Sequence, residues 1–429
     1  KTKEFLTYLE QDEYIVGIVS QYIQIVQWMM PFLLLTYVIK AFLISVKKQQ
    51  VVLVISILGL VTNFVFNYLF IFGNFGFPEL GISGVACSSL LTSVAMMLSG
   101  LLYINFSDLK EKQIFKDFEI IIFDNGTKDG SAHAINSSSL NITIIKSTSN
   151  KGFAVGNNAA AKDAKGDWLV LLNSDAIPEK DWLLEIFEAV CRYPDIVIFG
   201  STQINYHHPK VLDGAGDHYH VFGAAWRGAK GYPVDSILED TIVMGPCGAA
   251  AVLKKDVFEK LGGMAECFFC YYEDVDLALR FRLAGHLCIQ LANARVKHVG
   301  SATYGTNSEF SIYYISRNKI WTFIRCLPAA LLILLLPSFI IIVLIRLCFA
   351  IGRSDFKIRL RALWDALYNL PEIWGERRSI QSRRKISLVQ FGRSMTWSIG
   401  KLLMRSSDGR SIPKSVRVNS IGKADACNS

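Results

Sequence analysis

Phe118-Glu-Ile-Ile-Ile-Phe-Asp-Asn-Gly-Thr-Lys-Asp-Gly130 is the stretch whose reading decides the fold. Its apolar run forms a short buried-strand pattern, and Asp124 to Gly130 is dense in turn-forming residues. Ile142 to Lys146 repeats the strand pattern. Phe153 to Lys162 reads as a helix, Asp167 to Asn173 as a strand, Asp181 to Tyr193 as an amphipathic helix and Ile196 to Gly200 as a strand. Strands alternating with helices predict βαβ units and a mainly parallel sheet covered on both faces.

In such a sheet, ligands gather at the C-terminal ends of the strands. Asp124 and Asp175 close two of these strands. Either acid can hold a divalent ion that bridges a diphosphate, because a hard cation takes oxygen ligands and the phosphates supply the rest. Either can equally make a turn or cap a helix. Further on, Tyr271-Tyr-Glu-Asp-Val-Asp sets Glu273, Asp274 and Asp276 at the opening of an apolar-periodic helix. The helix dipole favours acids there whatever their role, and caps have this look. Behind paired tyrosines, one of these acids can also act as a general base where water is restricted. His298 follows a strand-like run and reads as a metal ligand through neutral imidazole, or simply as a polar residue.

Outward toward the N-terminus the texture changes. Tyr22–Val46 (interrupted by Pro31), Val51–Phe72 and Ile82–Ile104 are each long enough to cross a bilayer. Hydrophobic residues make up 51% of the 429, and mean hydropathy is +0.31, too apolar for an ordinary soluble chain. Lys47 and Lys48 lie between the first two runs, so the positive-inside tendency puts the chain on the cytoplasmic side after Ile104. Toward the C-terminus, Leu327–Ala350 is apolar with Pro328 and Pro337 inside it, and a strongly basic stretch follows. A span there would place that basic stretch outside, so a re-entrant or interfacial segment is expected. The net charge of +8 is concentrated after Gly352, where it suits a membrane surface rather than a nucleic acid.

Nine cysteines lack framework spacing, and Cys267-Phe-Phe-Cys270 has no second pair, so core cysteines are expected rather than a zinc or redox site. The start at Lys1, without Met or a leader, reads as a fragment.

Taken in order, Asp124-Asn-Gly-Thr-Lys-Asp-Gly, Asn150-Lys-Gly-Phe-Ala-Val-Gly-Asn-Asn, Asn173-Ser-Asp-Ala, Gly245-Pro-Cys-Gly-Ala, Glu273-Asp-Val-Asp-Leu, His298 and Tyr314-Ile-Ser-Arg-Asn resemble glycosyltransferase family 2. Within it the likeness is to the rhamnosyltransferase-like branch that builds bacterial surface polysaccharides. The resemblance implies an α/β GT-A-type (Rossmann-like) domain over 112–320, a membrane-associated apolar and basic segment over 321–390, and a flexible basic tail over 391–429. It implies an inverting transfer from a dTDP-, UDP- or GDP-sugar to a glycan or lipid-linked acceptor, with Mg²⁺ or Mn²⁺ as cofactor. Asp274 would be the general base, with Glu273 supporting it. Asp175 would be the metal-binding acid, with Asn173 standing where the motif's first Asp is usual, and His298 would complete the metal or diphosphate site. Asp124, Asn125, Asn150, Gly152 and Asn157 would shape the nucleotide pocket, Gly152 by permitting close backbone approach. Arg317 and Asn318 would lie near the diphosphate or acceptor.

The sequence departs from this family where a first strand should precede Phe118; Ile104-Asn-Phe-Ser-Asp-Leu-Lys leads back into an apolar run instead. Asn63-Phe-Val-Phe-Asn-Tyr-Leu-Phe-Ile-Phe-Gly and Phe77-Pro-Glu-Leu-Gly-Ile-Ser-Gly-Val-Ala resemble the multidrug and toxin extrusion (MATE) transporters, over residues 1–106. Three readings follow: a membrane-tethered glycosyltransferase facing the cytoplasm, a transporter fragment with an inert passenger, and an inactive chimera. About three helices cannot enclose a transport path, which in such proteins runs between repeats.

Overall fold

The computed structural model describes residues 12–45, 48–106, 118–129, 131, 141–300 and 308–416. The chain forms two compact units, Lys1–Lys116 and Asp117–Ser429.

The first unit is helical. Helices α1 (Glu13–Val26) and α2 (Met29–Ser45) meet at a 45° bend, followed by α3 (Gln49–Phe72) and α4 (Gly81–Phe106). The expected first run therefore starts earlier, at Glu13, and breaks at Gln27–Trp28 rather than at Pro31. Pro31 sits in the first turn of α2, where the missing N–H has no helical partner to lose. Apolar side chains point outward all round, Leu60 and Phe64 among them at 73% and 74% exposed, as in helices whose solvent is lipid. By length and composition α3, α4 up to Ile104 and a later helix can each cross a membrane, and the bent pair makes a fourth if counted as one span. Helices α3 and α4 approach closely at Gly84, where a Cβ would stand 2.6 Å from the Phe70 carbonyl oxygen.

The second unit carries the α/β fold. Strands β1 (Ile120–Asp124) and β2 (Ile142–Lys146) pair in parallel as a separate two-stranded sheet. Helix α5 (Phe153–Asp163), β3 (Trp168–Leu172), β4 (Ala176–Pro178), α6 (Trp182–Arg192) and β5 (Ile198–Asn205) follow. After β5 come β6 (Leu212–Gly214), β7 (Asp217–Tyr219), β8 (Ala225–Arg227), β9 (Thr241–Val243), β10 (Ala250–Lys254), helix α7 (Lys255–Lys260), helix α8 (Glu273–Leu283) and β11 (Cys288–His298). The main sheet has the order β3-β10-β5-β11-β4, with β6 on β5 and β9 on β11, while β7 and β8 form a ribbon.

The expectation of a mainly parallel sheet is corrected here. β10 runs antiparallel between β3 and β5, and β4 and β9 run antiparallel to β11; only β5 and β11 are parallel neighbours. The βαβ rhythm does make β3 and β5 point the same way, but a strand from some eighty residues later slots between them.

Two strand edges are unpaired among the described residues, and the expected absence of a first strand falls on residues 107–117, outside them. Among the described residues β1 pairs only with β2, and β3 pairs only with β10. Val170 and Leu172 of β3 are 38% and 41% exposed, an unusual state for apolar strand residues inside a domain. Helix α5 crosses from one sheet to the other. Its Gly156 abuts the Phe123 ring of β1, and its Ala154 and Ala161 share a core cluster with Leu169 of β3.

After β11 come α9 (Glu309–Cys326), α10 (Ala329–Cys348), α11 (Phe356–Tyr368), α12 (Leu370–Ser382), α13 (Leu388–Ser394) and α14 (Ile399–Met404). Helix α10 is unbroken through Pro337, without the two halves a re-entrant segment would have, and it is long and apolar enough to cross a membrane. Residues 391–416 replace the expected flexible tail with packed structure. Phe391 and Met395 are buried in the largest core cluster, and Ile242 and Arg410 form a β-bridge. Cys191 is disulfide-bonded, a departure from the unbridged cysteines expected.

Candidate active site

The three acids at the start of α8 go to three different fates. Asp276, wholly buried, accepts hydrogen bonds from Arg280 Nε at 2.7 Å and Arg325 Nε at 2.9 Å, which clamps α8 to α9. Glu273 is buried with Oε2 unpartnered, and burial, then the neighbouring Asp274, pushes its carboxyl well above the usual range. Asp274 is half-buried and carries no ion pair among the described residues. Its Oδ2 accepts from Gly248 N at 3.1 Å and its Oδ1 from Val275 N at 2.8 Å. Two backbone donors hold its orientation while leaving lone pairs free, the state a proton acceptor needs.

The loop before α8 is strained. Phe269, Tyr271 and Tyr272 have φ of 65°, 66° and 70°, a region that costs a non-glycine residue about 1 kcal/mol or more. Arg317 and Asn318 hold it there. Asn318 Nδ2, wholly buried, lies 3.0, 2.8 and 2.7 Å from the carbonyl oxygens of Phe268, Cys270 and Tyr271. Arg317 Nη2 donates to the carbonyls of Cys267 and Phe268, both at 3.1 Å, with its guanidinium 4.1 Å from the Trp321 ring centroid. Both side chains thus meet the loop that delivers Asp274.

The second carboxylate group lies at the ends of β4 and β11. His298 Nε2 stands 3.5 Å from Asp175 Oδ1, and its Nδ1 lies 2.7 Å from Asp213 Oδ2. Asp213 also receives Arg227 at 2.5 Å and Lys230 at 2.7 Å. Burial opposes ionisation of Asp213, yet His298, Arg227 and Lys230 together hold its carboxyl well below the usual range. His298 Nε2 lowers Asp175 in turn. Asp213 therefore fixes the imidazole ring so that Nε2 faces Asp175, the second-sphere arrangement that orients a metal-binding histidine.

Arg227 joins the two groups. Beyond Asp213 it acts electrostatically on Asp217, Asp274 and Cys247. Asp217, Cys247 and Asp274 offer ligand atoms all within 4.8 Å of one another. That triad fits a cation poorly: the Arg227 guanidinium already supplies positive charge, and burial pushes the Cys247 thiol up to about 12. Asp175 with His298 fits a divalent ion better, having a free carboxylate oxygen and an oriented imidazole nitrogen. Asp213, Asp217 and Arg227 were not found from the sequence; the acid pair in Leu212-Asp-Gly-Ala-Gly-Asp is the one local signal, and it bears only on Asp213 and Asp217.

The residues expected at the nucleotide lie on β1, the loop before α5, α5 itself and the end of β3. Asp124 Oδ1 accepts from Thr127 N at 2.9 Å and Thr127 Oγ1 at 2.7 Å, bonds that lower its pKa. Asn125 Nδ2 donates to Asn150 Oδ1 at 2.9 Å, its Oδ1 accepts from Lys151 N at 2.7 Å, and Asn150 Oδ1 accepts from Gly152 N at 2.9 Å. Gly152 has φ +90°, and a Cβ there would stand 2.5 Å from the Phe269 carbonyl oxygen. The close approach it permits is thus to the strained loop before α8. Asn157 Nδ2 donates to the Phe153 carbonyl of its own helix at 2.9 Å, and Asn173 pairs through its backbone with Ala249.

Two stretches of the chain match known families. Residues 102–262 match the family model described as glycosyl transferase family 2, and residues 2–69 match that described as MatE. The first match stops short of Glu273, Asp274, His298, Arg317 and Asn318. The probable multidrug resistance protein NorM of Bacillus licheniformis is 40% identical over 83 residues, covering 19% of this chain and 17% of that protein. The O-antigen biosynthesis protein RfbC of Myxococcus xanthus is 28% identical over 201 residues, 44% of this chain and 15% of that one. The crystal structure of S. aureus TarS with UDP aligns at a TM-score of 0.36 and 13% identity, over 71% of this chain and 89% of that chain. The chain spans less than a fifth of the length of the two curated relatives. Residues 102–262, which hold β1 to β10, thus resemble a family 2 glycosyltransferase domain. The helices before it are MatE-like.

Proposed function

We propose that the second unit transfers a sugar from a nucleoside diphosphate donor to an acceptor hydroxyl with inversion, Asp274 acting as general base. The observation that carries this reading is the sorting of the α8 acids. Asp276 is neutralised by two arginines, burial pushes the Glu273 carboxyl well up, and Asp274 alone is oriented by backbone donors without an ion pair among the described residues. Asp274 takes the acceptor hydroxyl's proton as that oxygen bonds to the anomeric carbon. The bond from that carbon to the diphosphate oxygen breaks, and the nucleoside diphosphate departs with the bonding pair. Inversion needs one base and no covalent intermediate. Asp175 and His298 would hold a Mg²⁺ or Mn²⁺ ion, whose charge offsets that of the leaving diphosphate. Asp124, Asn125 and the Asn150–Asn157 stretch would contact the nucleotide, with Asn173 beside the diphosphate. Asn318 and Arg317 serve the site through the loop they hold.

The likeness to an O-antigen biosynthesis protein favours a surface-polysaccharide acceptor; rhamnose as the donor's sugar is carried by the motif resemblance alone. The apolar helices would keep the domain at the cytoplasmic face of a membrane, as an anchor without transport activity.

The test is turnover of a panel of dTDP-, UDP- and GDP-sugars with Mn²⁺ or Mg²⁺, comparing the natural chain with Asp274→Asn. A loss of about 10²- to 10⁴-fold is expected, the usual contribution of a positioned base. Equal turnover rejects Asp274 as the base. Calorimetric titration with UDP, dTDP and GDP asks separately whether the pocket binds nucleotide.

A further inference from the structure

Asp217 is a buried carboxyl beside the base that the mechanism does not yet use. It lies on β7, 8% exposed, and its Oδ1 has no hydrogen-bond partner. Directly opposite it on β8, and so on the same face of the ribbon, is Arg227. Arg227 gives its Nη1 to Asp213 at 2.5 Å instead, with His298 Nδ1 at 3.3 Å. An ionised carboxylate is costly in that state, and a protonated one much less so. Burial, then the neighbouring Asp274, pushes the Asp217 carboxyl well above the usual range, against the pull of Arg227. The other titratable groups facing Asp217 are Cys247, Tyr272 before α8 and Cys288 on β11. Burial raises all three, the first two to about 12, so none of them supplies a charge at neutral pH.

Short contacts bring this carboxyl to Asp274. The segment Met244–Gly248 grips both residues. Asp217 N donates to the Gly245 carbonyl at 2.8 Å, and the Asp217 carbonyl accepts from Met244 N at 3.2 Å and Gly245 N at 3.3 Å. Three residues on, Gly248 N donates to Asp274 Oδ2. A Cβ on Gly245 would stand 2.2 Å from the Ala278 Cβ, so the segment is pressed against the helix that carries Asp274. One carboxyl oxygen of Asp217 and one of Asp274 thus come within 4.8 Å of each other, a gap that a hydrogen bond or one bridging water spans.

We propose that Asp217 carries a proton and donates it in a hydrogen bond to the Asp274 carboxylate, as a positioning residue for the base. The inference rests on the reading of Asp274 as that base. A carboxylate offers about four acceptor sites. Gly248 N and Val275 N take two of them, and Asp217 takes a third, which leaves the last for the acceptor hydroxyl. An acid without a partner in the folded chain lowers stability, and its place against Asp274 is what that cost serves.

The test uses the full chain in detergent. Infrared spectra at neutral pH should show the C=O stretch of a protonated carboxylic acid, and Asp217→Asn should remove it. In an Asp274→Asn background the same band should shift, because the group that accepts its hydrogen bond has changed. Release of nucleoside diphosphate from the dTDP-, UDP- and GDP-sugars with Mn²⁺ is the second readout. Asp217→Leu, similar in shape but without a donor, should lose at least about tenfold in turnover, the worth of one hydrogen bond to a charged group. Asp217→Asn still donates and should keep most of the turnover. The unfolding midpoint of Asp217→Leu should be no lower than that of the natural chain, since no partner is orphaned by the change. If Asp217→Leu fails to fold, the infrared band decides through the two Asn variants. A spectrum in which Asp217→Asn removes no band overturns the proposal. So does a band indifferent to Asp274→Asn, or equal turnover in Asp217→Leu and Asp217→Asn. Turnover equal in the natural chain and Asp274→Asn sinks the base reading and leaves the proton link between the two carboxyls. Loss of the infrared result, with turnover still dependent on Asp274, sinks the proton link alone.

Discussion

The two walls of the proposed active site, one for the acceptor and one for the nucleotide, are built by different means. On the acceptor wall, Asp276, Arg280, Arg325, Asn318 and the loop they fix are buried, and most of their polar atoms are satisfied by other buried atoms. On the nucleotide wall, Asp124 and Asn125 are half-buried, Asn150 is exposed, and their bonds are to one another and to nearby backbone. The acceptor wall is over-determined by long-range contacts, which lets it hold three non-glycine residues at positive φ. The nucleotide wall stands on a sheet of two strands among the described residues, and a pair of strands alone has little stability of its own. Strain can be stored only where the surroundings enforce it. The domain should therefore keep its base positioned whether or not nucleotide binding is intact.

The sharpest way to break this comparison is to remove the centre of the acceptor wall. Asp276→Ala leaves two nearly buried guanidinium groups, Arg280 and Arg325, without their shared carboxylate. Breaking a buried pair in this way costs about 3–5 kcal/mol. Thermal unfolding of the full chain in detergent should show a drop of many degrees, against almost none for Asp129→Ala on the exposed loop after β1. Equal shifts would mean that the acceptor wall is not where stability lies.

How much of this was legible in the sequence follows the same division. β1, β2, β3, α5 and α6 fell within two or three residues of their predicted positions, because each is a short periodic run closed by turn formers. The antiparallel β10 was not legible, since strand direction is fixed by partners far away in sequence and not by local pattern. Asp213 and Arg227 escaped notice because their roles come from β6 and β8 bringing them to His298, 85 and 71 residues away. Asn318 was expected near the diphosphate or acceptor from its place in a motif; only the three loop carbonyls around it reveal what it holds. The packed residues 391–416 read as a basic tail because Phe391, Met395 and Ile412 are spaced too widely among polar residues to signal burial.

A smaller effect comes from pH. His218 on β7 is 3% exposed, accepts a hydrogen bond from Asp408 N through Nε2 at 3.0 Å, and is pushed down to about 4, chiefly by burial. Unfolded, its pKa returns to about 6.5. Between those values the unfolded chain binds the proton that the folded chain refuses, so stability falls as pH drops from about 6.5 to about 4 and is flat with respect to this group below that. The loss is on the order of 3 kcal/mol across the window. Unfolding midpoints measured from pH 7 to pH 4 should show it, and His218→Gln should flatten that part of the curve. A slope unchanged by the substitution would assign the acid sensitivity elsewhere, and the strand leading into the acceptor wall would be less tightly enclosed than its burial implies.

The smallest expected effect on stability is the most telling for the nucleotide wall. Asn125→Ala deletes the side chain that bonds Asn150, Lys151 and the Gly152 carbonyl. These bonds are partly open to water, so their loss should cost only about 0.5–1.5 kcal/mol. Asn150 and the Gly152 turn would then lose one of their ties. Gly152 would still be fixed from the far side, because Phe153 N donates to the Phe269 carbonyl at 2.7 Å. UDP affinity, measured by calorimetry, should fall several-fold while the unfolding midpoint hardly moves. A midpoint that dropped as far as that of Asp276→Ala would show the nucleotide wall to be a structural support of the domain. The Asn125 network, rather than sheet pairing, would then be what ties β1 to α5.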